Sequence, residues 1–96
     1  MPTYLMLTNL TAEGLRTLKN NPGRTTEVNK EVEQMGGKVV TQYATLGEYD
    51  FVTVIEAPDE RTMARAAVML AARGTMRTTT MQAIPVEDLI ALLKEK

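Results

Sequence analysis

The sequence predicts an α+β domain whose elements follow the order strand, helix, strand, strand, helix, strand, with one further helix at the C-terminus. Three observations predict this fold. Four short runs are rich in apolar and β-branched residues, the segments between them carry apolar residues at a spacing of three to four, and Gly or Pro residues separate the two kinds of segment. Ninety-six residues suit one compact unit, so we expect a single domain over 1–96.

The first half of the chain predicts a strand, a broken helix and a second strand. Residues 3–8 form the first β-rich run, and Thr11 follows as a plausible helix N-cap. The Asn-Pro-Gly sequence at 21–23 should interrupt the helix, because proline lacks a backbone donor and disfavours helical geometry at the residue before it. The helical pattern resumes over 28–35, and the glycine pair at 36–37 ends it.

The second half repeats the pattern and adds a helix. Residues 38–45 and 49–57 are predicted to form a hairpin, and Asp59 is a strong N-cap for the helix that follows. Gly74 ends that helix, and a threonine-rich strand follows at 75–84. A last amphipathic helix completes the chain. Two split βαβ halves of this kind form a four-stranded antiparallel sheet with both crossover helices on one face.

Both faces of the predicted sheet are apolar. Side chains alternate between the two faces of a strand, so those of Phe51, Thr53 and Ile55 lie on one face and those of Val52 and Val54 on the other. The first strand likewise has apolar residues on both faces. Three or four large side chains left in water would forgo roughly 1.5–3 kcal/mol each, against a total stability of about 5–15 kcal/mol. We therefore expect a ligand, the terminal helix or another subunit to cover the second face, and face-to-face dimerisation is the expected solution.

Composition excludes several classes of chemistry. The chain has 11 basic and 12 acidic residues, which gives no electrostatic reason to expect nucleic acid or an anionic membrane as partner. It contains no histidine and no cysteine, so disulfides, thiolate catalysis and thiolate metal sites are excluded. We expect no cofactor and no metal. Neither a signal peptide nor a membrane span is visible, and we expect a cytoplasmic protein.

Several motifs in one order resemble those of the GYD family, which is named for a Gly-Tyr-Asp signature. The motifs are Leu46-Gly47-Glu48-Tyr49-Asp50, Glu56-Ala57-Pro58-Asp59, Arg77-Thr78-Thr79-Thr80, the Asn-Pro break and Gly36-Gly37-Lys38-Val39. In this chain a glutamate stands between the glycine and the tyrosine. The resemblance runs essentially from end to end and implies a ferredoxin-like protomer of the dimeric α/β-barrel group, in which two sheets pack face to face.

The resemblance names a fold and no reaction, because the family has no established activity. Relatives in the wider group include cofactor-independent monooxygenases, isomerases and haem enzymes. Several of those enzymes use histidine, which this chain lacks.

Two groups of polar residues are candidate ligand sites. A tyrosine hydroxyl beside a carboxylate, as at Tyr49 and Asp50, could exchange protons at a cavity mouth, although both also suit a structural role at the turn. Arg77 with Thr79 could bind an anion, or could belong to an ordinary edge strand. Arg77 is the best single functional candidate, because it is the only charged side chain within the last strand.

The layer between two packed sheets supplies the remaining candidates. Tyr4, Tyr43 and Thr53 are further ligand candidates there, and strand parity decides which of them share a face. The candidates for the subunit interface are Met6, Phe51, Ile55 and Met81.

Three classes of function follow from these residues. The first is a self-associating protein, a homodimer or higher oligomer, that binds a small apolar or anionic metabolite between its subunits. The second is a cofactor-independent barrel enzyme of the monooxygenase or isomerase kind, in which Tyr, Asp, Glu and Arg carry the acid–base roles. An ordered cavity with convergent polar groups favours a ligand, and a carboxylate whose pKa burial raises there favours catalysis.

The third class is an RNA-recognition module, which shares this order of elements. The sequence at 49–52 imitates part of such a module's signature. Base stacking, however, needs aromatic side chains where Met6 stands and near Val54. The turn also carries Glu48 and Asp50 where phosphate would favour lysine or arginine. We therefore do not expect RNA as a partner.

Overall fold

The fold is described over residues 1–95 by a computed structural model, with four strands and four helices in the predicted order. The elements are β1 (Thr3–Leu10), α1 (Ala12–Asn20), α2 (Arg24–Gln34), β2 (Lys38–Ala44), β3 (Phe51–Glu56), α3 (Glu60–Ala71), β4 (Met76–Ala83) and α4 (Val86–Lys94). The predicted α+β class is confirmed. None of the helices within 1–95 has both the length and the apolar character that crossing a bilayer requires.

The four strands form one antiparallel sheet in the order β2-β3-β1-β4. This is the order in which two split βαβ units interleave, and it gives the ferredoxin-like arrangement. The two central strands, β3 and β1, are therefore those that precede the crossover helices. A bulge between Val39 and Thr41 shifts the register of the edge strand β2.

Helix boundaries follow the local signals in the sequence. The Thr11 hydroxyl accepts a hydrogen bond from the Gly14 amide at 3.2 Å and caps α1. The Asp59 carboxylate accepts one from the Thr62 amide at 2.9 Å and caps α3. The break at 21–23 separates α1 from α2, as predicted.

Strand boundaries differ from the prediction by about two residues at two places. β1 continues to Leu10 rather than ending at 8, because its pairing with β4 extends as far as Met76. β3 begins at Phe51 rather than at 49. The Asp50 side chain bonds to the backbone amide of Leu10, so the residues at 49–50 belong to the connection rather than to the strand.

One face of the sheet packs against α1, α2 and α3, and the hydrophobic core lies there. Every second residue of β1 is buried, beginning with Tyr4 and Met6, and Ile55 of β3 is buried beside them. Val32 of α2 and Leu70 of α3 complete the centre of this core. This alternation shows which residues of each strand point toward the helices, a choice that the sequence left open.

Candidate functional site

The face of the sheet opposite the helices is the first candidate site, and we call it the open face. It consists of Thr3, Leu5, Leu7 and Asn9 of β1, Lys38, Thr41 and Tyr43 of β2, Val52, Val54 and Glu56 of β3, and Arg77, Thr79, Met81 and Ala83 of β4. Its centre is aliphatic, with Leu5 paired to Val54 and Leu7 paired to Val52. Its charged residues belong to the ends of the strands. The open face is therefore an apolar surface with a polar border.

The C-terminal helix is a second unpartnered apolar surface. Val86, Leu89, Ile90 and Leu93 follow helical spacing, and each is between 46% and 75% exposed. Every described residue of α4 is exposed, so this helix does not cover the open face. A helix of this kind gains most of its stability by packing its apolar side against another element.

The size of the exposed surface shows that the isolated chain buries less than a typical monomer. Its accessible area is 6563 Å². A monomer of 10.6 kDa is expected to expose about 5,500 Å², so the excess is about 1,100 Å². The radius of gyration, 14.7 Å, likewise exceeds the value of about 12.5 Å expected for a compact domain of this length.

The connection between β2 and β3 holds two of the predicted ligand residues, and both form hydrogen bonds within the fold. Asp50 accepts a hydrogen bond from the Leu10 amide through Oδ2 at 2.8 Å, and its own amide donates to the Thr8 carbonyl at 2.8 Å. The Tyr49 carbonyl accepts a hydrogen bond from the Thr45 hydroxyl at 2.6 Å. These contacts favour the structural role for the turn, because they tie the connection to the end of β1.

Thr53 lies on the helix-covered side of the sheet, in a buried chain of polar side chains. Its hydroxyl accepts a hydrogen bond from Gln42 Nε2 at 2.9 Å, and Gln42 Oε1 accepts one from Asn29 Nδ2 at 2.9 Å. The chain links α2, β2 and β3. Thr53 is therefore separated by the sheet itself from Arg77 and Thr79.

Tyr4 also lies on the covered side, where it lines a cleft between α3 and β4. Burial raises the pKa of the Tyr4 hydroxyl above its usual value, and the carboxylates of Glu60 and Asp59 raise it further. The hydroxyl of Thr80 in the same cleft is buried without a hydrogen-bond partner among residues 1–95. Tyr4 is thus neutral and on the far side of the sheet from Tyr43.

The structure divides the seven predicted ligand residues among three places. Arg77, Thr79 and Tyr43 share the open face, where Tyr43 is 61% exposed. The other four lie in the connection or on the covered side. The predicted aspartate, Asp50, is therefore in the connection, whereas Tyr43 and Arg77 share the open face with Glu56.

The four predicted interface residues are split between the two faces of the sheet. Met6 and Ile55 are 4% and 1% exposed beneath the helices, and Phe51 is on the same covered face. Met6 and Ile55 belong to the core of the protomer, and all three side chains are on the face turned away from a partner sheet at the open face. Met81 alone of the four lies on the open face, where it is 43% exposed.

The position at which an RNA-recognition module would need a stacking aromatic side chain is also on the helix-covered side of the sheet. Met6 is on the covered side, and its open-face neighbours are Leu5 and Leu7, neither of which is aromatic. Among the open-face residues only Tyr43 has an aromatic ring. The described residues also contain no group of three acidic side chains that could hold a metal ion.

A charged cluster that sequence reasoning missed joins the start of α2 to the chain beyond α3. Glu31 Oε1 lies 3.2 Å from Arg24 Nη1, and Glu31 Oε2 pairs with Arg73 Nη2. The hydrogen bond from Arg73 lowers the pKa of the Glu31 carboxyl, and Arg24 lowers it further. No local pattern could have predicted the whole cluster, because Arg24 and Glu31 share α2 but Arg73 is distant in sequence and meets them only through helix packing.

The sequence of this chain matches one family model and one known protein over nearly its whole length. A sequence model described as the GYD domain matches residues 4–93. A protein of Thermus thermophilus, named glutamine synthetase and cystathionine beta-lyase binding protein, is 56% identical over 95 residues, which is 98% of this chain and 100% of that protein.

Two solved structures are similar in fold. The crystal structure of FFRP-DM1 has a TM-score of 0.53 and 24% identity, with 88% of this chain and 100% of that chain covered. The crystal structure of TTHA0845 from Thermus thermophilus has a TM-score of 0.56 and 20% identity, with 88% and 95% covered. At these identities the two structures show the fold alone. The family match over nearly the whole chain and the 56% identical relative show that this chain belongs to the GYD family.

Proposed function

We propose that this protein is a non-catalytic binding protein that self-associates through its open face and, as an oligomer, binds metabolic enzymes. The observation that carries the proposal is the apolar centre of the open face, which the chain's own helices leave uncovered. The engagement of the Asp50 carboxylate with the Leu10 amide supports binding rather than catalysis.

Self-association is supported by the amount of surface that the single chain leaves exposed. The excess of about 1,100 Å² over a typical monomer is larger than the roughly 800 Å² that each partner buries in a standard protein interface. The open face and α4 are two of the places where this surface is aliphatic, and exposed apolar side chains also occur on α1 and α3. We therefore propose that two copies pack sheet against sheet, as in a dimeric α/β barrel, and that each α4 packs on the partner subunit.

Enzymes are proposed as partners because the 56% identical relative is named a binding protein of glutamine synthetase and cystathionine β-lyase. The match covers 98% of this chain and 100% of that protein, which supports a similar kind of partner for both. We propose that this chain binds one or both of the corresponding enzymes of its own source organism.

A metabolite site between the subunits remains part of the proposal. Sheet-on-sheet packing would enclose Tyr43, Arg77 and Thr79, which share the open face. A guanidinium beside a threonine hydroxyl suits a small anion.

Surface plasmon resonance with purified enzymes tests the proposal. Glutamine synthetase and cystathionine β-lyase of the source organism are immobilised separately, and the protein is passed over each from about 0.1 to 50 μM, the range of weak to moderate protein complexes. We expect saturable binding to at least one enzyme. An unrelated immobilised enzyme of similar net charge is the control, and equal responses on all surfaces, or none on either partner, would contradict enzyme binding.

A further inference from the structure

A cavity lies inside each protomer, on the helix-covered side of the sheet and away from the proposed interface. Its volume is about 120 Å³. Met6 and Phe51 from the sheet and Val28 and Leu70 from the helices supply apolar walls, and the polar chain that ends at Thr53 lines one part of the cavity. An apolar cavity of about 150 Å³ in a protein core is large enough to hold benzene. At about 120 Å³ the space is somewhat smaller, so it fits a ring of about six non-hydrogen atoms when part of the molecule extends to the opening.

The ionisable groups that line this cavity are all cationic. Arg24 and Arg73 line it, and no acidic side chain does so among the described residues. Both arginine side chains are 35% exposed, so they stand where the cavity meets solvent. Glu27 and Glu31 pair with these arginines. The cavity therefore combines a mainly apolar interior with an opening formed by two ion-paired arginines.

The charged cluster around Glu31 holds the two arginines in position without using all of their donors. Glu31 engages Nη1 of Arg24 and Nη2 of Arg73 through its two separate oxygens. The other terminal nitrogens, Nη2 of Arg24 and Nη1 of Arg73, form no ion pair within residues 1–95. Guanidinium donors in such an arrangement bind a carboxylate in preference to a neutral or cationic group.

We infer that this cavity binds a small organic acid, with the apolar body between sheet and helices and the carboxylate at Arg24 and Arg73. The inference is independent of the proposed enzyme binding, because the cavity and the open face are on opposite sides of the sheet. It also differs from a metabolite site between subunits, since every residue involved belongs to one protomer.

Calorimetric titration with three molecules of nearly the same shape tests this inference. Benzoate, benzamide and benzamidine share the ring and differ in the charge of the head group. We expect benzoate to bind with a Kd at least about tenfold lower than that of benzamide, because charge-assisted hydrogen bonds are roughly twice as strong as neutral ones. Benzamidine should bind most weakly.

Three variants assign the site. Arg73→Gln should weaken benzoate about tenfold and leave benzamide affinity unchanged, which also shows that the variant is folded. Val28→Phe fills the cavity and should weaken benzoate and benzamide alike. Arg65→Gln, which removes an exposed cation of α3 that lines neither this cavity nor the open face, is the matched control and should change neither affinity.

Three results would overturn the inference. One is equal affinity for benzoate and benzamide. Another is the absence of saturable binding of any of the three molecules up to about 10 mM, the weakest affinity reasonable for a ligand of this size. The third is a loss of benzoate affinity in Arg65→Gln as large as that in Arg73→Gln.

Discussion

Replacing Gly14 with alanine should destabilise the protein more than any other glycine-to-alanine change within α1, α2 or the turns beside them. A Cβ at this position would lie 2.0 Å from the carbonyl oxygen of Thr75 and 3.0 Å from its carbonyl carbon. Ordinary contact begins at 3.4 Å, so α1 would have to move more than about 1 Å from the start of β4, a displacement of the kind that overpacking causes.

That movement also breaks hydrogen bonds. The Thr11 amide donates to the same Thr75 carbonyl at 3.0 Å, and the Thr11 hydroxyl donates to the Gly74 carbonyl at 2.9 Å. Overpacking costs about 1–3 kcal/mol, and each lost hydrogen bond about 1 kcal/mol. We expect Gly14→Ala to lower the free energy of unfolding by about 3–5 kcal/mol, a large part of the roughly 5–15 kcal/mol typical of a domain.

Urea denaturation followed by circular dichroism measures this effect, at one protein concentration so that association contributes equally. Gly23→Ala is the matched control, because its Cβ would meet nothing closer than Asn21 Oδ1 at 3.6 Å. The Gly23 backbone already has φ −63° and ψ −14°, so this change should be neutral or stabilising by up to about 1 kcal/mol. Equal unfolding free energies for the two variants would refute the close approach of α1 to β4.

Two further predictions concern side chains with assigned contacts. Asp50→Ala should lower the free energy of unfolding by about 1–3 kcal/mol, since it leaves the part-buried Leu10 amide without its acceptor, and the same urea titration measures it; an unchanged midpoint would mean that Asp50 is not structural. Glu31→Gln should cost up to about 1 kcal/mol at pH 7, because its ion pairs are partly exposed. The folded-state pKa of Glu31 is lower than its usual value of 4.5, so its contribution is complete above pH 4.5 and is lost as the pH falls through the lower folded-state value. Thermal unfolding curves of wild type and Glu31→Gln should therefore converge in acid, and a difference that grows as the pH falls would contradict the assignment.

Local signals in the sequence predicted most of the fold. Thr11 and Asp59 cap their helices as expected, because the N-cap interaction involves residues only three positions apart. The Asn-Pro-Gly break acts through the geometry of the backbone itself. Each of these features is decided within one turn of the chain, so the sequence alone was sufficient.

The choice between the two faces of the sheet could not be predicted from the sequence. Leu5 and Leu7 are as apolar as Tyr4 and Met6, so hydrophobic alternation gave no contrast between the sides of β1. For this reason Met6, Phe51 and Ile55 were expected at the interface and lie on the helix-covered face, with Met6 and Ile55 in the core.

The meeting of two arginines at the opening of the cavity could not be predicted from local sequence patterns either. Arg24 begins α2, whereas Arg73 follows α3, and only the packing of both helices on one face of the sheet brings them to the same carboxylate. The pattern of residues around either arginine indicates only a solvated helix end.

Sedimentation velocity on wild type, Val54→Lys and Val68→Lys at about 10 μM is the most direct test of the central claim that the open face joins two copies. Val54 lies in the aliphatic centre of the open face, and Val68 is an exposed valine on α3 that provides the same chemical change elsewhere. We expect wild type and Val68→Lys to sediment as a dimer or larger even oligomer, and Val54→Lys to sediment as a folded monomer, because a lysine there would bury an unpaired charge. A wild-type protein that is monomeric at this concentration, or a Val54→Lys variant that associates like wild type, would contradict the claim.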